Sequence, residues 1–235
     1  MDLRFLGVGG AFAPALGNNC AMFARGEDLY LLDCGEQAFM RLMRADIFTK
    51  YPGQITAIIT HLHGDHVGSL ATLCLYADSV LGRRVTVVHP HDNIEALLAL
   101  MGVAPGRYTL LRGLTQPGLE ITPIPVHHAP GLHAFAYLIN DESGMYYYSG
   151  DTGEIPLSIL DRLREGQLTR AYLDVTDAAA SGTPSPHLSY ETLLGLIPPT
   201  LRGRITLMHF NRDYRTKAAQ DGFACATIDP LFAEG

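Results

Sequence analysis

Residues 55–70 read ITAIITHLHGDHVGSL, a stretch that packs four metal-ligand side chains into six positions at the end of an apolar strand. Side chains of an extended segment alternate between faces, so His61 and His63 project to the same side. Gly64 then lets the backbone turn sharply. Asp65 stands where it can both cap a new helix and bind a cation, with His66 in that helix's first turn. Two ligand pairs therefore point into one space from two backbone directions. A charged cluster left uncompensated in a buried turn would be costly, and imidazole nitrogen with carboxylate oxygen is the donor set of zinc and its neighbours.

Three further apolar strands end in His or Asp before a glycine, a proline or a polar loop. ITPIPVHHAPG ends in His127 and His128, and the apolar row Ile124, Val126 continues to His128. MYYYSGDTG delivers Asp151 after Gly150, where the backbone can approach a site closely, and RITLMHFN ends in His209. Five histidines and two aspartates suffice for two divalent ions. His61, His63 and His128 would hold the first, Asp65, His66 and His209 the second, and Asp151 would bridge them. Ions about 3.5–4 Å apart with a shared carboxylate hold a hydroxide between them, the expected nucleophile at neutral pH. The set suits zinc and also accepts manganese, iron or nickel. Asp33, in LLDCGE, either backs a ligand histidine or caps a helix over 36–44. His89 and His91 read as solvated loop residues. His127 and His133 flank His128 without being expected as ligands, although His133 could reach substrate. The run Tyr146 to Tyr148 reads as a half-buried strand.

The chain has 235 residues, 47% of them hydrophobic, which allows one substantial core and a single domain over 1–235. It has no apolar run of about 18 residues and no basic start leading into one, so neither a membrane span nor a secretory signal is expected, and a cytoplasmic address follows. Cys20, Cys34, Cys74 and Cys225 stand far apart with no CxxC pair, as small buried residues would. A net charge of −7 disfavours long nucleic acid as a partner, while bound metals could still attract a small anion. Gly7, Gly9 and Gly10 precede a hairpin rather than a helix, which is the wrong context for a dinucleotide fingerprint. The order of strands and helices predicts an α/β fold of two mixed β-sheets face to face with helices outside, a four-layer αββα sandwich. The stretch 102–118 reads as a loop.

THLHGDH at 60–66, His128, GDT at 150–152 and His209 resemble the metallo-β-lactamase superfamily, in the branch of ribonuclease Z and the small cyclic-phosphate phosphodiesterases. FLGVGGAF, NNCA, LLDCGE and LMHFN agree with that branch, so the resemblance covers nearly the whole chain. It implies a metal-dependent hydrolase acting on a phosphodiester, and a homodimer. In this branch a histidine in a short HLS-like motif, paired with an acidic residue on the preceding strand, is the proton donor. His187 in PHLSYETL and Asp174 in YLDVT match those places, so Asp65, His187 and Asp174 are the candidate catalytic residues, Asp65 also being a ligand. A histidine held as imidazolium by a carboxylate suits protonation of a leaving alkoxide. The alternative is that the pair simply anchors a long Ser/Pro loop.

Departures from ribonuclease Z bear on substrate. No long basic arm interrupts the segment before His128, and 102–118 holds only Arg107 and Arg112. A small-molecule phosphodiester, cyclic nucleotide or cyclic sugar phosphate, is therefore favoured over transfer RNA. The competing readings are a ribonuclease Z-like RNA endonuclease, a lactone or thioester hydrolase on the same metals, and, least favoured, a non-catalytic metal-binding domain.

Overall fold

Short apolar runs separated by glycine turns build two mixed β-sheets with helices in the connections. The computed structural model describes residues 1–176 and 185–233. The middle of the Ser/Pro loop, 177–184, lies outside the described residues. The chain falls into two compact units, one of Met1–Leu114 with Thr227–Gly235 and another of Thr115–Ala226.

In the first unit β1 (Arg4–Gly7), β2 (Cys20–Arg25) and β3 (Asp28–Leu32) are antiparallel neighbours, the last two joined by a hairpin in which Gly26 takes φ 59°. From β3 the sheet continues parallel. Helices α1 (Ala38–Arg44) and α2 (Ile47–Lys50) lead to β4 (Ile55–Ile58). Helices α3 (Gly64–Val67) and α4 (Leu70–Ser79) lead to β5 (Val85–Val88), and α5 (Asn93–Leu100) leads to β6 (Tyr108–Leu111). Crossovers between parallel strands need helices, which is why the sequence alternates here between short apolar runs and longer segments of helical period. Met22, Leu29, Leu31, Ile55 and Val85 are buried in one core with Leu42, Leu73 and Leu98 of the helices. Each such side chain contributes about 1.5–3 kcal/mol of hydrophobic stabilisation. The chain's tail returns to this unit, with Phe232 in the core and Arg4 paired to Asp229 at 2.9 Å.

The second unit repeats the plan. β7 (Leu114–Gln116) lies at the edge beside β8 (Leu119–Val126), and β9 (Ala134–Asp141) and β10 (Gly144–Tyr148) follow antiparallel. After α6 (Leu157–Arg164) come β11 (Arg170–Asp174), α7 (Tyr190–Leu196), α8 (Pro199–Arg202), β12 (Ile205–Met208), α9 (Arg215–Gln220) and β13 (Ala224–Cys225). The run β10-β11-β12-β13 is parallel throughout. Ser189 caps α7 by accepting a hydrogen bond from the Thr192 N–H. All three tyrosines of 146–148 are buried rather than half-exposed.

The stretch 102–118 is not a plain loop. It contains β6 and β7, each too short to declare itself by alternation. Cys20, Cys34 and Cys74 are buried free thiols, as expected, whereas Cys225, expected to be buried with them, is only half-buried. Among the described residues no helix is long and apolar enough to cross a membrane.

Candidate metal centre

The parallel strands of each unit end at the chemistry-bearing residues, the usual place for a site in such sheets. In the first unit Asp33 follows β3, and Thr60 and His61 follow β4. His61 Nε2 lies 3.0 Å from His63 Nδ1, and His66 Nε2 lies 3.3 Å from Asp65 Oδ2. Two donors on one tetrahedral ion, with bonds of 2.0–2.1 Å, stand roughly 3.3 Å apart, so both pairs have ligand spacing. The expected cap by Asp65 is not found. His63 occupies the N-cap of α3 with no side-chain cap, and Asp65 falls in the first turn, where the helix dipole favours its charge.

Asp33 takes the role of histidine partner, not of helix cap. Its Oδ2 accepts from His66 Nδ1 at 2.8 Å and its Oδ1 from the Thr60 N–H at 2.8 Å, while α1 begins after Gln37 without a side-chain cap. Burial pushes the Asp33 carboxyl up, against the pull of His66 and Thr60. The loop after it grips the turn around Gly64 from behind. Cys34 N–H donates to the His66 carbonyl at 2.7 Å, and Ser69 Oγ donates to the Gly35 carbonyl at 2.6 Å. Gly35 has no room for a side chain, since a Cβ there would stand 2.0 Å from the Asp65 carbonyl oxygen.

In the second unit one oxygen, Asp151 Oδ2, lies 3.3 Å from His209 Nε2 and 3.8 Å from His128 Nε2, between the two imidazoles. Both rings are held from behind, His128 Nδ1 donating to the Pro186 carbonyl at 3.1 Å and His209 Nδ1 standing 3.2 Å from Asp174 Oδ1. The other oxygen of Asp174 is 2.6 Å from His187 Nδ1. Asp174 thus serves two histidines, where the sequence pointed to one. Burial pulls the His187 imidazolium down, but the hydrogen bond and charge of Asp174, helped by Asp151, more than offset it and the group ends up raised. Asp151, Asp174, His187 and His209 each offer a ligand atom within 4.8 Å of the others.

The remaining histidines divide. His127 is exposed and pairs with Glu154 at 2.7 Å, and His133 is exposed. His89 is not a solvated loop residue. It is fully buried, with Nδ1 2.9 Å from the Ile59 carbonyl, and burial lowers its pKa. The row Val85, Val87 continues inward to His89, the same rule that selects His128, and it carried the information. Thr60 went unread: its hydroxyl lies 3.0 Å from both oxygens of Asp33 and 3.1 Å from His61 Nδ1.

A family model described as Anti-Pycsar protein Apyc1 matches residues 1–106. The protein of that name from Paenibacillus sp. (strain J14) is 29% identical over 91% of this chain and 90% of its own. The metallo-β-lactamase fold protein YhfI from Bacillus subtilis superposes with a TM-score of 0.72 at 16% identity, covering 97% of this chain and 96% of YhfI. Human tRNase Z, short form (ELAC1), superposes at 0.67 with 19% identity over 89% of this chain and 93% of that one. Under the name zinc phosphodiesterase ELAC protein 1, the human protein is 37% identical over 90 residues, 36% of this chain and 24% of its own sequence. The chain has the metallo-β-lactamase fold, two mixed sheets flanked by helices. Divalent ions such as zinc take nitrogen and carboxylate donors, and the paired donors of each unit suit them in type and spacing.

Proposed function

We propose that this protein is a metal-dependent hydrolase that opens a small, cyclic phosphodiester on two zinc ions, with His187 as the general acid. The observation that carries the reading is the 2.6 Å contact of His187 Nδ1 with buried Asp174, on an imidazole that keeps 26% of its side chain exposed and lies 4.0 Å from Asp151 Oδ2. With Nδ1 engaged by Asp174, Nε2 is the nitrogen left to give its proton to a departing oxygen. The competing role, a simple loop anchor, is already filled by backbone. Thr176 N–H bonds the Leu188 carbonyl at 2.9 Å, and Leu188 N–H bonds the Thr152 carbonyl at 2.8 Å. The pair is therefore spare as an anchor and suited to chemistry.

His61, His63 and His128 would hold one ion, Asp65, His66 and His209 the other, and Asp151 would be shared. When bound, the ions would supply an activated water and polarise the phosphoryl oxygen. Asp174 holds His187 in the proton-donating tautomer and His209 in the ligand tautomer, so one carboxylate serves both binding and protonation. Relatives named Anti-Pycsar over nine-tenths of the chain favour a cyclic nucleotide as the substrate. The test is a panel of cyclic nucleotides, cyclic sugar phosphates, bis(p-nitrophenyl) phosphate, a lactone and a thioester, each with and without chelator. Chelator-sensitive turnover of a cyclic phosphodiester is expected. Lactone turnover without any phosphodiester turnover would overturn the proposal.

A further inference from the structure

We propose that Thr60 is a positioning residue, one that ties a second metal-ligand histidine to the Asp33 carboxylate and so dictates which nitrogen of His61 is left for the metal. This rests on the reading of His61 and His66 as ligands. Asp33 reaches His66 directly, Oδ2 to Nδ1 at 2.8 Å, and it reaches His61 through the Thr60 hydroxyl.

The donor count fixes the direction of that route. A threonine hydroxyl has one proton to give and two lone pairs, and a carboxylate can only accept. Thr60 Oγ1 lies 3.0 Å from each oxygen of Asp33, so its proton goes there. What remain on Oγ1 are its two lone pairs; His61 Nδ1 stands 3.1 Å away, and His66 Nδ1, at 3.4 Å, is closer to Asp33 Oδ2 at 2.8 Å. The hydrogen bond closes only if His61 carries its proton on Nδ1. Nε2 then holds the free lone pair, and this is the nitrogen 3.0 Å from the proposed ligand atom of His63, Nδ1. One buried carboxylate so orients two imidazoles, His66 at first hand and His61 through a hydroxyl. Thr60 and His61 are both fully buried, so water cannot replace the missing partner if the hydroxyl is lost.

The most direct test needs no variant. Long-range ¹⁵N–¹H correlation spectra of the metal-free protein, with the His61 signals identified by their loss in His61→Gln, should show the Nδ1-protonated tautomer. An Nε2-protonated His61 would overturn the proposal. The second arm compares Thr60→Val, which keeps the shape without the hydroxyl, with Thr60→Ser, which keeps the hydroxyl. Zinc competition against a chromogenic chelator should show Thr60→Val weakened about 10- to 100-fold at one of two sites, the usual scale for loss of a ligand's hydrogen-bond partner. Thr60→Ser should stay close to wild type, and the His66 site should be spared in both. Two sites of unchanged affinity in folded Thr60→Val would overturn the role of Thr60 alone. A wild type that binds no zinc would overturn the metal reading and this inference with it.

Discussion

His187 and Asp174 differ from the proposed ligands in what their loss should do. Replacing His187 by alanine is expected to lower kcat by about 10²- to 10⁴-fold, the range for a general acid, with zinc content by elemental analysis unchanged. Equal loss of zinc and activity would make it a ligand or a structural residue. Asp174→Asn should be worse than His187→Ala in zinc retention, because Asp174 also stands behind His209. His89 supplies a pH signature of another kind. Its folded pKa is lowered by burial from the ordinary 6.5, so the unfolded chain binds its proton more readily. The corresponding stability is complete above about 6.5 and is lost as pH falls below it. His89→Gln should therefore lose less stability between pH 7 and pH 5 than wild type, measured by urea unfolding. At this scale the sequence revealed residues whose type is rare for their place, such as three histidines around a glycine. A threonine before a histidine is ordinary. Thr60 acquires its role from Asp33, 27 positions upstream, whose carboxylate reaches it only in the folded sheet.

Gly35 and Gly195 carry opposite expectations at the level of elements. A Cβ at Gly35 would meet the Asp65 carbonyl oxygen at 2.0 Å, where the β3–α1 loop presses on the ligand turn. Gly35→Ala should cost about 2–4 kcal/mol and weaken zinc binding as well. Gly195 sits on the exposed side of α7 with nothing within 4 Å of an added Cβ, so Gly195→Ala should gain about 0.5–1 kcal/mol in the same urea titration. Long elements such as α4 and β9 were legible because several turns or alternations accumulate before a breaker. β6, β7 and β13 run only 4, 3 and 2 residues, and the parallel neighbour that makes β6 or β13 a strand is not visible in the local sequence. The ends of strands were more readable than their lengths, since a polar residue closing an apolar run is a discrete event.

The whole molecule should depend on its ions for stability as well as for turnover. A ligand at a thousand times its Kd stabilises by about 4 kcal/mol, so stripping zinc with dipicolinate should lower Tm by roughly 10 °C, with recovery on adding zinc back. Unchanged Tm would contradict tight binding. The net charge of −7 argues for a second outcome. Turnover of a small cyclic phosphodiester should vary little between roughly 50 and 200 mM salt, and a transfer RNA precursor should be neither bound nor cut. Two residues of the proposed site, Asp33 at φ 66° and His209 at φ 57°, hold the left-handed backbone, a region that aspartate and histidine enter more often than most side chains and glycine enters most freely. At 209 relief of that backbone and retention of the ion therefore pull in opposite directions. Since the ion is worth more than the relief, a laboratory selection for survival at high temperature in ample zinc should keep histidine at 209, and glycine should take the position only where zinc is withheld.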